Sequence, residues 1–252
     1  MKLRKLFLPL ALAFCFAGCL DVNEQVEIKK DGSGQLVEDM DASQMIDILQ
    51  QYMGKDEMAK KGIQTMDTTV NMKDVVDTST SLSAEKKALL RQGKVHIKLD
   101  MEAKVFKTHM VFPFTSQDNL EKLYTVMSDG SAFGSTKLLG GMGGENGGGG
   151  APDLSQFTGI YNFTCKDGVM ARKVDKDKWK ALTDRPEMAQ MKQASQMGVE
   201  INYTATIILP RPVKKCSNPT AKISEDKKTV SLKYNLIDAI DHPEQFEYTI
   251  EY

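Results

Sequence analysis

The sequence predicts an α+β protein, a curved and mainly antiparallel sheet with helices packed on one face. Three observations lead there. Two-residue alternation recurs along the chain, most clearly over 94–105, where Val95, Ile97, Leu99, Met101, Ala103 and Val105 alternate with Lys94, His96, Lys98, Asp100, Glu102 and Lys104. Asp31-Gly32 and Asp167-Gly168 interrupt such segments and offer the positive φ of tight hairpin turns. Strands outnumber helices, and the connections between neighbours are often short.

The elements follow in order. Lys2, Arg4 and Lys5 precede an apolar run over 6–17, broken only by Pro9. A basic head followed by a short apolar run is a secretory signal. The run falls short of the ~20 residues of a span, which disfavours a retained transmembrane anchor. Phe16-Ala17-Gly18-Cys19 closes it and resembles the lipobox of bacterial lipoproteins. That resemblance implies that 1–18 is a signal peptide and that Cys19 is the lipidated first residue of the mature chain. Plain secretion with cleavage at a small-residue site is the alternative. Leu20 rather than Asp after the Cys implies sorting to the outer membrane, with the facing side open. One acyl chain, at ~0.8 kcal/mol per methylene, holds a protein marginally, whereas two or three hold it durably.

Residues 20–23 read as a brief tether. Val26 and Ile28 then share a strand face, with the Asp31-Gly32 turn and a returning strand through Leu36-Val37. Met45, Ile46, Ile48, Leu49, Tyr52 and Met53 form one helical stripe, with Asp41 and Gln44 at capping-box spacing before it and Gly54 after it. Residues 65–81 read as loop with a short turn over 72–76, and 83–91 as helix. At Val105-Phe106 the alternation changes phase without a Gly or Pro, which predicts a β-bulge in one long strand ending at Pro113. Ser116 opens a helix carrying Leu120, Leu123, Tyr124 and Met127.

Residues 140–150 hold eight glycines. Such a run reads as a flexible loop inserted in one exported domain spanning 19–252, or as the boundary between two domains. A second hairpin follows over 161–174, then helical pieces over 177–182 (with Trp179) and 185–197, ending at Gly198. A strand over 199–209, a pair formed by 220–223 and 229–235, and a last strand over 246–252 complete the chain.

Without residues 1–18 the chain keeps 30 basic and 34 acidic side chains, so it lacks the basic field that nucleic-acid binding needs. Once Cys15 leaves with the signal and Cys19 carries lipid, Cys165 and Cys216 remain. An even pair in an oxidising compartment predicts a disulfide worth roughly 4 kcal/mol, with two separate buried thiols as the alternative. Neither Cys has metal-ligand spacing.

Motifs for catalysis and cofactors fail one by one. The glycine runs lack the Lys of a phosphate loop and, at Asn146, the third Gly of a dinucleotide fingerprint. His242-x-Glu244 lacks the following Cys pair of zinc deaminases. Asp39-x-Asp41-x-Ser43 lacks the Gly and closing Glu of a calcium loop. His96 and His109 lie on polar strand phases. The expectation is therefore no cofactor, no metal and no catalysis. Methionine is abundant at apolar positions, including Met45, Met53, Met101, Met110, Met127, Met188, Met191 and Met197. These fit adaptable core filler or, alternatively, a pliable apolar cavity or surface for an amphiphile or a protein.

The lipobox, Lys29-Lys30-Asp31-Gly32-Ser33-Gly34, and Ser217-Asn218-Pro219 followed by Lys227-Lys228-Thr229-Val230-Ser231-Leu232 together resemble the LppM-type domain of bacterial lipoproteins. Leu232 stands where that family usually has a tryptophan. The resemblance implies a curved sheet with packed helices, no catalytic residues and a role in binding lipid or envelope components. The expected function is thus a membrane-anchored cell-envelope lipoprotein that binds a lipid, another amphiphile or an envelope protein. A structural subunit of an envelope assembly and an enzyme without a recognisable motif are the alternatives.

Overall fold

The computed structural model describes residues 20–52, 65–80, 82–128, 155–166, 168–196 and 199–252. The signal segment with Cys19, the glycine-rich run 140–150, and Met53, Gly54, Met197 and Gly198 lie outside them.

Strands β1 (Leu20–Ile28) and β2 (Gly34–Asp41) form the opening hairpin. In its turn Gly32 takes φ 83°, and Asp31 Oδ1 accepts hydrogen bonds from Ser33 N at 3.0 Å and Ser33 Oγ at 2.7 Å. The expected tether 20–23 is strand instead. Leu20 and Val22 extend the inward row of β1, and both are 2% exposed. Leu20 lies opposite Ile201 of β8 (Ile201–Ile208), and Asp21 opposite Asp41, so the segment is paired on both sides.

The large sheet adds β3 (Met66–Asn71), β4 (Lys94–Asp100), β5 (Val105–Phe114), β10 (Lys222–Ile223) and β11 (Thr229–Asn235). Its order is β10-β11-β8-β1-β2-β5-β4-β3. β1 and β8 run parallel, and the other described strand pairs are antiparallel. The α+β class with a mainly antiparallel sheet therefore holds.

Two sequence readings change in this sheet. The bulged strand is a hairpin, with a turn over 101–104 between β4 and β5. Asp100 Oδ1 accepts from Glu102 N at 3.0 Å and Ala103 N at 2.9 Å, and Lys104 takes φ 55°. An aspartate-capped turn thus reverses the chain where neither Gly nor Pro announces it, and the phase change is the change of strand. The expected loop 65–81 holds β3 and helix α2 (Met72–Thr78). β3 is an edge strand with mostly exposed side chains, so little alternation betrays it.

Helix α1 (Ser43–Tyr52) buries Ile46, and α3 (Ala84–Leu90) starts where Ser83 Oγ accepts from Lys86 N. Helix α4 (Gln117–Ser128) buries Leu120, Leu123 and Val126; at its start Ser116 Oγ accepts from Asn119 N at 3.2 Å. After the short α5 (Ser155–Thr158) comes a second sheet that the sequence did not separate from the first. It comprises β6 (Tyr161–Lys166), β7 (Val169–Val174), β12 (Tyr248–Glu251) and β9 (Lys215–Cys216), in the order β6-β7-β12-β9. Helices α6 (Lys176–Thr183) and α7 (Pro186–Gln196) follow β7. Asp175 caps α6 by accepting from Asp177 N and Lys178 N.

The expected disulfide is not formed: Cys165 and Cys216 are free. Cys165 pairs with Met170, Met170 with Ile250, and Ile250 with Cys216, so the two thiols sit in one row on the outermost strands of this sheet. Three strand spacings separate their Cα atoms by about 14 Å, twice the reach of a disulfide. Alkylation under non-reducing conditions should recover both as separately modified peptides; a cross-linked peptide joining 165 and 216 would contradict this register.

Candidate functional site

The inward row of β1 is Leu20, Val22, Glu24, Val26 and Ile28, four aliphatic side chains and one carboxylate. Glu24 is 5% exposed, and Glu38 of β2 lies directly across from it. The inward row of β7 in the facing sheet carries Met170 and then Arg172, which is 4% exposed. Helix α4 presents Tyr124 from the same side as Leu120 and Leu123. Packing three apolar faces together therefore also brings together the polar side chains embedded in them.

Tyr124 Oη donates to Glu24 Oε1 at 2.6 Å, and its ring stacks on Phe163 of β6 with centroids 4.0 Å apart. The Arg172 guanidinium lies 4.7 Å from the ring centre of Tyr161 and 5.5 Å from that of Tyr203, both within cation–π range. Arg172 Nη1 has no hydrogen-bond partner among the described residues, nor do the buried hydroxyls of Tyr203 and Tyr234. Glu24, Glu38, Tyr124, Tyr161 and Arg172 line a cavity of about 330 Å³. Leu36, Phe163 and Met127 add apolar wall, and the exposed Thr125, Asn162, Thr164 and Lys178 form the rim.

The rim lies toward the Leu20 end of β1. Tyr161 Oη, next to Asn162, donates to Pro243 O at 3.1 Å, and Trp179 Nε1, next to Lys178, donates to Ala239 O at 3.2 Å. Ala239 belongs to the 3₁₀ turn Leu236–Ile240 that continues β11 beyond Asn235, and Asn235 is paired with Asn202, the neighbour of Asp21.

Burial is the main force on the titrating groups here. The Glu38 carboxyl is pushed up to about 7 by burial, then by the negative charges of Glu24 and Asp39. Burial drives the Tyr124 hydroxyl well up, with Glu24 adding to it, and raises Tyr161, Tyr203 and Tyr248. These phenols are therefore neutral. For Arg172, burial opposes the charge but is outweighed by Tyr203 and Glu24, so the guanidinium stays charged.

The Glu38 shift has a signed consequence. A carboxyl held above its unfolded value binds its proton more tightly in the folded state, so stability falls as pH rises from about 4.5 to about 7 and is level above that. Glu38→Gln, which is neutral throughout, should gain on the order of 1 kcal/mol over the native chain at pH 8 and nothing at pH 4.5. Urea unfolding at both pH values checks it, and an equal effect at both would remove the buried charge as the cause.

The sequence-singled residues fall elsewhere. Cys165 backs onto the site: its N–H donates to the Glu121 carboxylate at 3.3 Å, and burial raises its thiol to about 11, far from a reactive thiolate. Cys216 lies across the small sheet. His96 contacts Thr69, His109 contacts Asp39 at 2.6 Å, and His242 lies 3.5 Å from Glu244, all on the exterior and in different places. Asp39 and Asp41 are engaged by His109 and Lys107, and no group of metal-binding side chains occurs among the described residues. Met188 is buried and Met45, Met101, Met110 and Met191 pack against the core, as core filler does; Met127 lines the cavity, whose other walls carry tyrosine, glutamate and arginine. Glu24, Glu38 and Arg172 carry no sequence expectation, and Tyr124 is read from the sequence only as part of a helical apolar stripe. The signal for Glu24 is a carboxylate in the apolar phase of an alternating strand, hidden when 20–23 is read as tether.

The fold and site thus define a two-sheet α+β protein with a charged, aromatic cavity between its layers. No family model and no curated protein matches the chain. Among solved structures, it is similar to the folded domain of the Mycobacterium tuberculosis LppM protein, determined by NMR, with 11% identity and a TM-score of 0.38 over 93% of this chain and 91% of that one. No described helix is long and apolar enough to cross a membrane.

Proposed function

We propose that the chain is a cell-envelope lipoprotein, anchored through Cys19 to the outer membrane, whose folded part binds an amphiphile without transforming it. The observation that supports binding is the 330 Å³ cavity between the sheets, a volume in the range of small-molecule sites, with one apolar wall and a few convergent polar groups. The reading of the anchor rests on the residues ending in Ala17-Gly18-Cys19. Because β1 begins at Leu20, lipid on Cys19 would hold the Leu20 end of the sheet at the headgroups with no spacer, and the cavity rim lies toward that end. A ligand would then pass between bilayer and cavity without crossing the full length of the domain.

A second reading, catalysis, draws its support from Glu38, a carboxyl titrating near neutrality in a cavity beside Glu24 and Arg172. Against it stands the commitment of Glu24 to Tyr124. Membrane fractionation and mass spectrometry of co-purified lipid test the first reading together. Cys19→Ala should leave an uncleaved precursor without attached lipid, and the native protein should carry one enriched amphiphile. Normal processing of the variant would overturn the anchor; recovery of a chemically altered lipid dependent on Glu38 would favour the enzyme.

A further inference from the structure

We infer that Arg172 anchors the anionic head of the bound amphiphile, a carboxylate or a phosphate group, with the chain lying along the wall formed by Tyr161, Phe163 and Met127. This rests on the amphiphile reading and narrows it. Arg172 is a buried cation whose charge Glu24 offsets without a direct ion pair, so its hydrogen-bonding groups are not taken up by that carboxylate. It is 4% exposed, and among the described residues its Nη1 has no hydrogen-bond partner and no carboxylate forms an ion pair with it. The one carboxylate most deeply buried in the same cavity, Glu24, is held by Tyr124.

Folded proteins leave few buried donors unpaired, and a guanidinium that is fixed and unpaired presents its donors in the planar fork that matches a carboxylate or phosphate. The rings of Tyr161 and Tyr203 lie within cation–π range of the guanidinium without using its N–H groups. Arg172 therefore has hydrogen-bonding capacity toward the cavity that the protein itself does not consume. At the rim, Lys178 places a second positive charge on the way in.

The carboxyls facing the site set its pH response. Glu38 faces Glu24 from β1, Tyr124 and Glu121 from α4, Arg172 from β7 and Lys178 from α6, while Tyr203 of β8 and the exterior Asp39 act on it through charge. An anion on Arg172 is repelled by ionised Glu38 and tolerated by its protonated form. Binding should take up a proton and weaken as pH rises past neutrality.

The test uses the full-length chain in nanodiscs of neutral phosphatidylcholine, with empty discs to subtract partitioning. Four probes are titrated by calorimetry: octyl phosphate, octanoate, octanol as the uncharged chain, and inorganic phosphate as the head alone. One equivalent of octyl phosphate should bind, Arg172→Gln should weaken it about 10- to 100-fold, as loss of a charged hydrogen bond does, and octanol should bind both forms alike. Inorganic phosphate binding as tightly as octyl phosphate would make a free anion the ligand and overturn the amphiphile. Unchanged octyl phosphate affinity in Arg172→Gln would overturn the anchor while octanol binding kept the amphiphile reading. Absence of binding by all four would overturn both. Should Arg172→Gln not fold, a diazirine-bearing octyl phosphate on the native chain decides instead: labelling of peptides containing Tyr161, Arg172 or Tyr203 is expected, and labelling confined elsewhere overturns the assignment.

Discussion

Gly34→Ala should destabilise the fold by about 3 kcal/mol or more, the upper end for forcing an extra carbon into a packed site. Gly34 sits where three strands meet, opposite Ile28 of β1 and Phe114 of β5. A Cβ there would overlap the Glu27 carbonyl oxygen and the Phe114 ring. A backbone atom cannot swing aside as a side chain can, so the β1–β2 pairing itself must open. Gly32, in the turn just before it, is the control. Its Cβ would meet nothing closer than Gln117 at 4.0 Å, but its φ of 83° disfavours any other residue. Gly32→Ala should therefore cost about 1–2 kcal/mol through backbone conformation alone. Urea unfolding of both variants checks the order, and equal costs would show that the strands can spread at Gly34 without penalty.

Gly32 is legible as a turn residue from Asp31-Gly32, whereas the crowding at Gly34 depends on Phe114, far away in sequence. Hairpins announced by Asp-Gly were found, and so were the helices carrying Ile46 and Leu120, since their periodicity is local. The fold class followed from such elements. What failed was information carried by partners distant in sequence. Leu20 is a strand residue because Ile201 lies beside it, 181 positions away. β3 is a strand because β4 offers it an edge, although its own side chains mostly face water. The Asp100 turn lacked the usual residues, so a reversal passed for a bulge. Sorting the strands into two sheets, and the order within the small one that sets Cys165 and Cys216 on opposite edges, is a property that no local pattern encodes. The cavity was least legible of all, because Glu24, Arg172 and Tyr124 come from three elements and each looks like an isolated polar residue until the layers are stacked.

Glu24→Ala should cost about 3 kcal/mol, and the reasoning separates charge from hydrogen bond. Removing the carboxylate strands two buried groups at once: the Tyr124 hydroxyl loses its 2.6 Å acceptor, and Arg172 loses the negative charge that helps keep it ionised. Leaving a buried charge uncompensated typically costs about 3–5 kcal/mol, and a lost hydrogen bond to a charged acceptor adds to it. One term works in the opposite direction, since the repulsion between Glu24 and Glu38 disappears, which is why the expectation sits at the lower end. Glu24→Gln tests the division. The amide can still accept from Tyr124, so the hydrogen bond survives and only the charge is lost; a cost between those of the native chain and the Ala variant is expected. The same substitution should lower the Glu38 carboxyl from about 7, although burial, its larger cause, keeps it above an exposed glutamate. Carbon-13 titration of Glu38 in the Gln variant reads this directly. A carboxyl that stays at its native position would mean the two glutamates do not sense each other, and the cross-strand pairing that builds the floor of the cavity would have to be redrawn.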